Sequence, residues 1–213
     1  MAPVSHPVTT VTNGHIAARD LAEIGAGAGV LVLSTFHAHD KHVTASEEQV
    51  FTRLNNLPPG FTKPLYVLMQ AGQFAAIPVT AALAFKLRRP RLALSLAVAG
   101  TGAWVLARVV KKLTGRGRPD AHLNDVVVRG KEWTGLGFPS GHAAVSAALA
   151  AAASPELPEP ARSLSWTLVG IVSVSRIHVG AHLPIDTIGG VGLGLLIGRL
   201  ASVILNRQPG EPA

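Results

Sequence analysis

Long apolar stretches alternate with short polar ones along this chain, and the apolar stretches have the lengths of membrane helices. Leu65 to Phe85, LYVLMQAGQFAAIPVTAALAF, holds no charged residue and is long enough to cross the roughly 30 Å hydrocarbon core of a bilayer. Leu92 to Ala107 is similarly apolar, and extends to Val110 if Arg108 snorkels or faces a polar interior. Gly141 to Ala153, Leu164 to Ser175 and Pro184 to Leu205 follow, and Leu21 to Phe36, glycine-rich and carrying Glu23, precedes them all. The pattern predicts an all-α, polytopic membrane protein, a bundle of about six transmembrane helices. Several stretches are short for a full crossing, so their polar ends are expected to face a shared cavity.

Between the first two spans, SEEQVFTRLNNLPPG sets a serine cap and an acidic first turn ahead of Pro58-Pro59-Gly60, which predicts a short interfacial helix. Gly190, Gly194 and Gly198 in the last span, and Gly25 and Gly29 in the first, recur every four residues, a spacing that lets membrane helices approach closely. The chain reads as a single domain over 1–213 with flexible ends at 1–15 and 206–213. The basic loop KLRRPR, Lys86 to Arg91, belongs in the cytoplasm by the positive-inside rule. That places the loops holding Lys111 and Ser140 on the outer face.

Composition sharpens this picture. Of 213 residues, 48% are hydrophobic and only 15% charged, which argues against a soluble domain. There is no cysteine, so disulfides, thiolate metal sites and cysteine nucleophiles are excluded. The net charge of +7 calls for an anionic partner: nucleic acid, lipid headgroups or an anionic substrate. Nucleic acid is disfavoured, because the cations gather at span ends and the lone tyrosine, Tyr66, lies within a span.

Three polar islands interrupt the apolar chain. The first, KKLTGRGRP from Lys111 to Pro119, is a glycine-loosened basic run where the third span ends; alone it reads equally as a membrane flank that meets lipid phosphates. The second, Pro139-Ser140-Gly141-His142, opens the alanine-rich span. Ser140 suits an N-cap, Gly141 bares the backbone, and the helix start points its amides at an anion beside His142. The third, SRIHVGAHLPID from Ser175 to Asp186, places a costly Arg176 at a span end. There His182 and Asp186 are four apart, so the carboxylate can hold one imidazole nitrogen and leave the other free to attack. A metal site at His178, His182 and Asp186 is disfavoured, because Gly180 and Pro184 interrupt a helix through all three; His178 reads as a packing residue. If the spans alternate, the islands share one side of the membrane and can converge on a phosphoryl group.

These islands resemble the motifs of the type-2 phosphatidic acid phosphatase superfamily, the lipid phosphate phosphatases. The family pattern is Lys, six residues, Arg-Pro; then Pro-Ser-Gly-His; then Ser-Arg, five residues, His, three residues, Asp. Lys111 with Arg118-Pro119, Pro139 to His142, and Ser175-Arg176 with His182 and Asp186 match it in order and spacing, over the stretch 111–186. The resemblance implies that His182 attacks phosphorus and is transiently phosphorylated, that Asp186 orients it, and that His142 protonates the leaving oxygen and then activates water. It implies phosphate binding by Lys111, Arg118, Ser140, Gly141 and Arg176, with no metal and no cofactor. The expected partners are the bilayer and a lipid phosphate, a polyprenyl (di)phosphate or a phosphatidate-like lipid, in a bacterial plasma membrane with the site on the outer face. No oligomeric state is implied. Lys112 and Arg116 are further cations that the motif leaves without a role. Two rival readings share the same residues: a vanadate-dependent haloperoxidase, disfavoured because those enzymes are soluble, and a non-catalytic binder of anionic lipid, which has no use for a paired nucleophile.

Overall fold

The computed structural model describes residues 18–130 and 134–205, and the flexible ends expected at 1–15 and 206–213 lie outside them. Its α-helices are α1 (Ala18–His39), α2 (Ala45–Asn55), α3 (Thr62–Leu68), α4 (Ala76–Lys86), α5 (Pro90–Thr114), α6 (Gly141–Ala153), α7 (Glu159–His178) and α8 (Pro184–Leu205). No strand occurs among the described residues.

The alanine-rich α6 is the axis of the bundle. Ala143 to Ala152 are all buried, enclosed chiefly by α8, α5 and α7. Small residues make this possible: a Cβ added at Gly194 of α8 would come within 2.6 Å of the Ala147 methyl and 2.8 Å of the Ala148 nitrogen, and one at Gly198 within 2.7 Å of the Ala151 methyl. The expected role of the α8 glycines in close approach therefore holds. In α1 the contact is made one step away from the expected residues. Gly27 meets the α8 backbone at Gly192 and Leu196, whereas Gly25 and Gly29 face open space; the intervening glycine is the one on the buried stripe.

Three segments, containing α1, α5 and α8, are long and apolar enough to cross a membrane, and the α3–α4 region makes a fourth if its bent halves count together. Large apolar side chains such as Leu33, Phe36, Val79, Phe85 and Leu113 are exposed on the outside, as lipid requires rather than water. The expected straight span from Leu65 to Phe85 is broken. A 3-10 turn, Met69–Gly72, separates α3 from α4, and the chain bends by 66° there. At the break Gly72 lies against the backbone of His142, where any Cβ would collide with the His142 carbonyl, and Pro78 stands in the first turn of α4.

The interfacial helix forms as α2, but its cap is Thr44, whose hydroxyl accepts from the Glu47 N–H, and not Ser46. It is tied to the bundle by Asn55, whose side-chain amide donates to the Ile177 and His178 carbonyls and accepts from Val127 N–H at 2.9 Å.

Candidate active site

The three polar islands meet at one end of the bundle because each sits where a helix stops or starts. Lys111 is in the last turn of α5, which ends at Gly115 in the left-handed conformation, φ +63°. Ser140, Gly141 and His142 open α6. Arg176 lies in the last turn of α7, the chain reverses through Gly180 at φ +74°, and Asp186 lies in the first turn of α8. A cavity of about 370 Å³ results, lined by Lys111, Arg118, Gly141, His142, Arg176 and His182.

Lys111 and Arg118 donate to backbone carbonyls, and one contact of Arg176 is to a sulfur. Lys111 Nζ donates to the carbonyls of Leu136, at 3.0 Å, and Gly137. Arg118 Nε donates to Thr134 O at 3.0 Å and its NH1 to Ala181 O at 2.6 Å, which ties it to the turn carrying His182. Arg176, only 2% exposed, places NH1 3.5 Å from Met69 Sδ. Arg176 is buried, and Lys111 and Arg118 are half-buried, so the cavity suits an anion. Arg108 also lines the cavity, its guanidinium 3.4 Å from the centre of the Trp104 ring. Arg108 is exposed, so it borders the cavity without being enclosed by the bundle.

His182 and Asp186 come within ion-pair distance, as the four-residue spacing predicts, with His182 Nδ1 left without a hydrogen bond. His182 Nδ1 lies 3.5 Å from Asp186 Oδ2, an oxygen that also accepts the Leu183 N–H at 3.0 Å. This pairing directs the opposite nitrogen, Nε2, away from the carboxylate. Burial, reinforced by Lys111, Arg176 and Arg118, holds the His182 imidazole well below its ordinary range, so the ring is neutral at pH 7 and its lone pair is available. The second and third islands are joined directly, since Ser140 N–H donates to the Asp186 carbonyl at 2.8 Å.

Ser140 occupies the N-cap position of α6, but its side chain makes no capping bond. Its Oγ is buried with no hydrogen-bond partner, as is His142 Nε2. Orphaned buried polar atoms are costly; His142 lines the cavity, whereas the fully buried Ser140 lies next to it in the chain and is not among its lining residues. His178 stands outside the cavity, with Nε2 3.0 Å from Thr62 Oγ1 and Nδ1 3.1 Å from Leu54 O; it packs α2 and α3 onto α7.

Two residues beside the site escaped the sequence reading. Arg116 is fully buried and its guanidinium bridges Asp186, NH1 to Oδ1 at 3.3 Å, and Glu47 of α2, NH2 to Oε2 at 2.9 Å. A cation inside the first island was visible, but its partner lies 69 positions away and reads locally as an ordinary acidic first turn.

An apolar helical bundle that gathers cations and two histidines around one cavity, with a carboxylate behind it, defines a helical membrane protein with a cationic pocket at one end. A model of the PAP2 superfamily matches residues 91–209, more than half of the chain, and the protein belongs to that superfamily. It is 31% identical over 137 residues to an undecaprenyl-diphosphatase of Sulfolobus acidocaldarius, covering 64% of this chain and 66% of the relative. It is 35% identical over 120 residues to a decaprenylphosphoryl-5-phosphoribose phosphatase of Mycobacterium tuberculosis, covering 54% of this chain and 64% of the relative. The match thus spans just under two thirds of the length of these curated relatives. Among solved structures the fold is similar to a transmembrane PAP2-type phosphatidylglycerolphosphate phosphatase from Bacillus subtilis, with TM-score 0.68, 20% identity, and 84% of this chain and 95% of that one covered. It is also similar to Aquifex aeolicus LpxE, with TM-score 0.66, 23% identity, and coverage of 76% and 95%.

Proposed function

We propose that this protein hydrolyses the terminal phosphate of a membrane lipid phosphate or diphosphate through a phosphohistidine. The observation that carries the reading is the pairing of His182 Nδ1 with Asp186 beside a cavity lined by Lys111, Arg118, Arg176 and His142. The phosphoryl oxygens lie against the cations, the Ser140 hydroxyl and the start of α6. His182 Nε2 attacks phosphorus, the bond from phosphorus to the lipid oxygen breaks, and His142 gives that oxygen its proton. Asp186 stabilises the cationic ring so formed. Water then attacks phosphorus, His142 takes a proton from it, and the electrons of the P–N bond return to Nε2, releasing phosphate. The fixed cations supply the charge neutralisation that phosphoryl transfer demands, and no metal or cofactor enters the scheme.

The lipid nature of the substrate is supported by an apolar groove of about 650 Å³ between α4, α6 and α7, which meets the charged cavity at Gln73 and Ala75 and runs past Val79, Leu83 and Leu149. The named activities of the curated relatives favour a polyprenyl-linked phosphate or diphosphate over a phosphatidate-like lipid. The basic loop between α4 and α5 lies at the opposite end of α5 from Lys111. This supports a site on the outer face of a bacterial plasma membrane.

The test is phosphate release by the purified, detergent-solubilised protein from polyprenyl diphosphate and from phosphatidate, with chelator present, comparing wild type with His182→Ala. Release that vanishes in the variant is expected. A folded wild type that releases phosphate from neither lipid would overturn the reading and favour a protein that only binds anionic lipid.

A further inference from the structure

We propose that Arg116 and Glu47 are positioning residues for the nucleophile, forming a buried relay that fixes Asp186 and couples the interfacial helix α2 to the catalytic turn. The inference rests on the phosphohistidine reading above.

The relay is an unbroken chain of contacts. Glu47, in the first turn of α2, receives both guanidinium nitrogens of Arg116, NH1 on Oε1 at 3.2 Å and NH2 on Oε2 at 2.9 Å. The same NH1 reaches Asp186 Oδ1 at 3.3 Å. Asp186 therefore divides its two oxygens: Oδ1 is engaged by Arg116, and Oδ2 is left for Leu183 N–H and the His182 ring. A carboxylate anchored at one oxygen cannot rotate the other away from the imidazole. Glu47 Oε1 also accepts the Ile185 N–H at 3.1 Å, an amide in the first turn of α8 that no helical carbonyl can satisfy. The nucleophile's turn is thus held from α2 twice, once through Arg116 and once through the backbone.

Burial explains why these residues are charged. Arg116 and Asp186 have no exposed side-chain surface, and Glu47 has 5%. Ions so deep are retained only where pairing is close, and a neutral filler of the same volume is often as stable. A buried ion pair beside the nucleophile is therefore better accounted for by positioning than by stability. Arg116 lies outside the phosphate cavity, whose cations are Lys111, Arg118, Arg176 and Arg108. Its loss is therefore expected to affect turnover and not substrate binding.

The experiment measures kcat and KM for polyprenyl diphosphate in detergent for wild type, His182→Ala, Arg116→Met, Arg116→Lys, Glu47→Gln and the double variant Arg116→Met with Glu47→Gln. Inhibition by inorganic vanadate serves as a check that the cation cavity is intact. Arg116→Met is expected to lower kcat about 100-fold, the cost of a reacting group displaced by about an ångström, with KM and vanadate inhibition within about twofold of wild type. Arg116→Lys recovers part of that loss, because one ammonium cannot hold both carboxylates in the fork geometry. Glu47→Gln lowers kcat by about tenfold alone and adds little to Arg116→Met, as members of one relay do. A folded Arg116→Met or Arg116→Lys protein with wild-type kcat would overturn the proposal while leaving the phosphatase reading intact, provided that His182→Ala is inactive. If Arg116→Met does not fold, an unchanged kcat in Glu47→Gln overturns it equally. Losses in the two single variants that multiply in the double would show two independent structural effects and no relay. An inactive wild type would overturn the underlying reading, and the relay with it.

Discussion

Replacing Asp186 by asparagine removes one charge and almost no volume, so the consequences follow from hydrogen-bond direction alone. The carboxylate accepts at every contact: from Arg116 at Oδ1, 3.3 Å, and from Leu183 N–H at Oδ2, 3.0 Å, with His182 Nδ1 3.5 Å from the same Oδ2. An amide has one oxygen and one NH2 to place at these two positions. The guanidinium of Arg116 can only donate, so it draws the amide oxygen to itself. The NH2 then points at Leu183 N–H and at His182 Nδ1. The first contact sets donor against donor, at a cost of about 1–3 kcal/mol in stability. The second forces the imidazole proton from Nδ1 to Nε2, the nitrogen that must attack. In serine hydrolases, a wrong tautomer arising from the same exchange lowers kcat about ten-thousand-fold, equivalent to about 5 kcal/mol in the barrier. We expect a loss of that order for Asp186→Asn, with KM changed by no more than about threefold, because the phosphate-binding cations are untouched. Steady-state phosphate release from polyprenyl diphosphate measures both parameters, and thermal unfolding in detergent measures the stability cost. A kcat within tenfold of wild type would refute the tautomer argument and remove Asp186 from the mechanism.

The pH dependence of activity is expected to be bell-shaped: His182 must be neutral, and since its folded-state value is depressed, the acid limb of kcat/KM lies below the ordinary imidazole value of about 6.5. The alkaline limb reports loss of the proton that His142 holds when the phosphoryl group is bound, so it is read from kcat, and a kcat that does not fall on the alkaline side would exclude His142 as the acid. Gly194→Leu is expected to destabilise the protein by about 1–3 kcal/mol or more through overpacking against Ala147 and Ala148; unchanged thermal unfolding in detergent would refute the close packing of α6 on α8. Phosphate release is expected to persist undiminished in a chelator titration, and a loss restored by added divalent cation would contradict neutralisation by Lys111, Arg118 and Arg176.

The outline of the bundle and most residues that line its cationic cavity were legible because lipid makes polarity informative. In an apolar chain, Lys111, Arg118, Ser140, Arg176 and His182 stand out, and helix ends must be polar where backbone groups go unpaired. The last span, Pro184–Leu205, was placed to the residue, since proline fixes its start. The break between α3 and α4 was marked only by Gly72 and by Pro78 in the first turn of α4, within a stretch that carries no charge, and the contact of Gly72 with His142 joins residues 70 positions apart. The Ser140 hydroxyl was expected to cap its helix and does not; it is buried at the helix start without a partner. The Glu47 to Arg116 bridge was illegible. Nothing within several residues of Glu47 distinguishes it from any other acid in a first helical turn, and only the fold brings it to Asp186.

The seam between α6 and α8 has a thermal consequence. One helix begins with Ser140, Gly141 and His142, the other with Pro184 and Asp186, and between them lie Ala144, Ala147, Ala148 and Ala151 facing Gly190, Gly194 and Gly198. Glycine and alanine have no side-chain rotamers to freeze, so aligning the phosphate cradle with the carboxylate loses no rotamer entropy at this seam. Nor does the seam have alternative rotamer packings to visit on warming, as a seam of leucine or methionine would. The spacing between the two helix starts is therefore expected to persist on heating until the helices themselves separate.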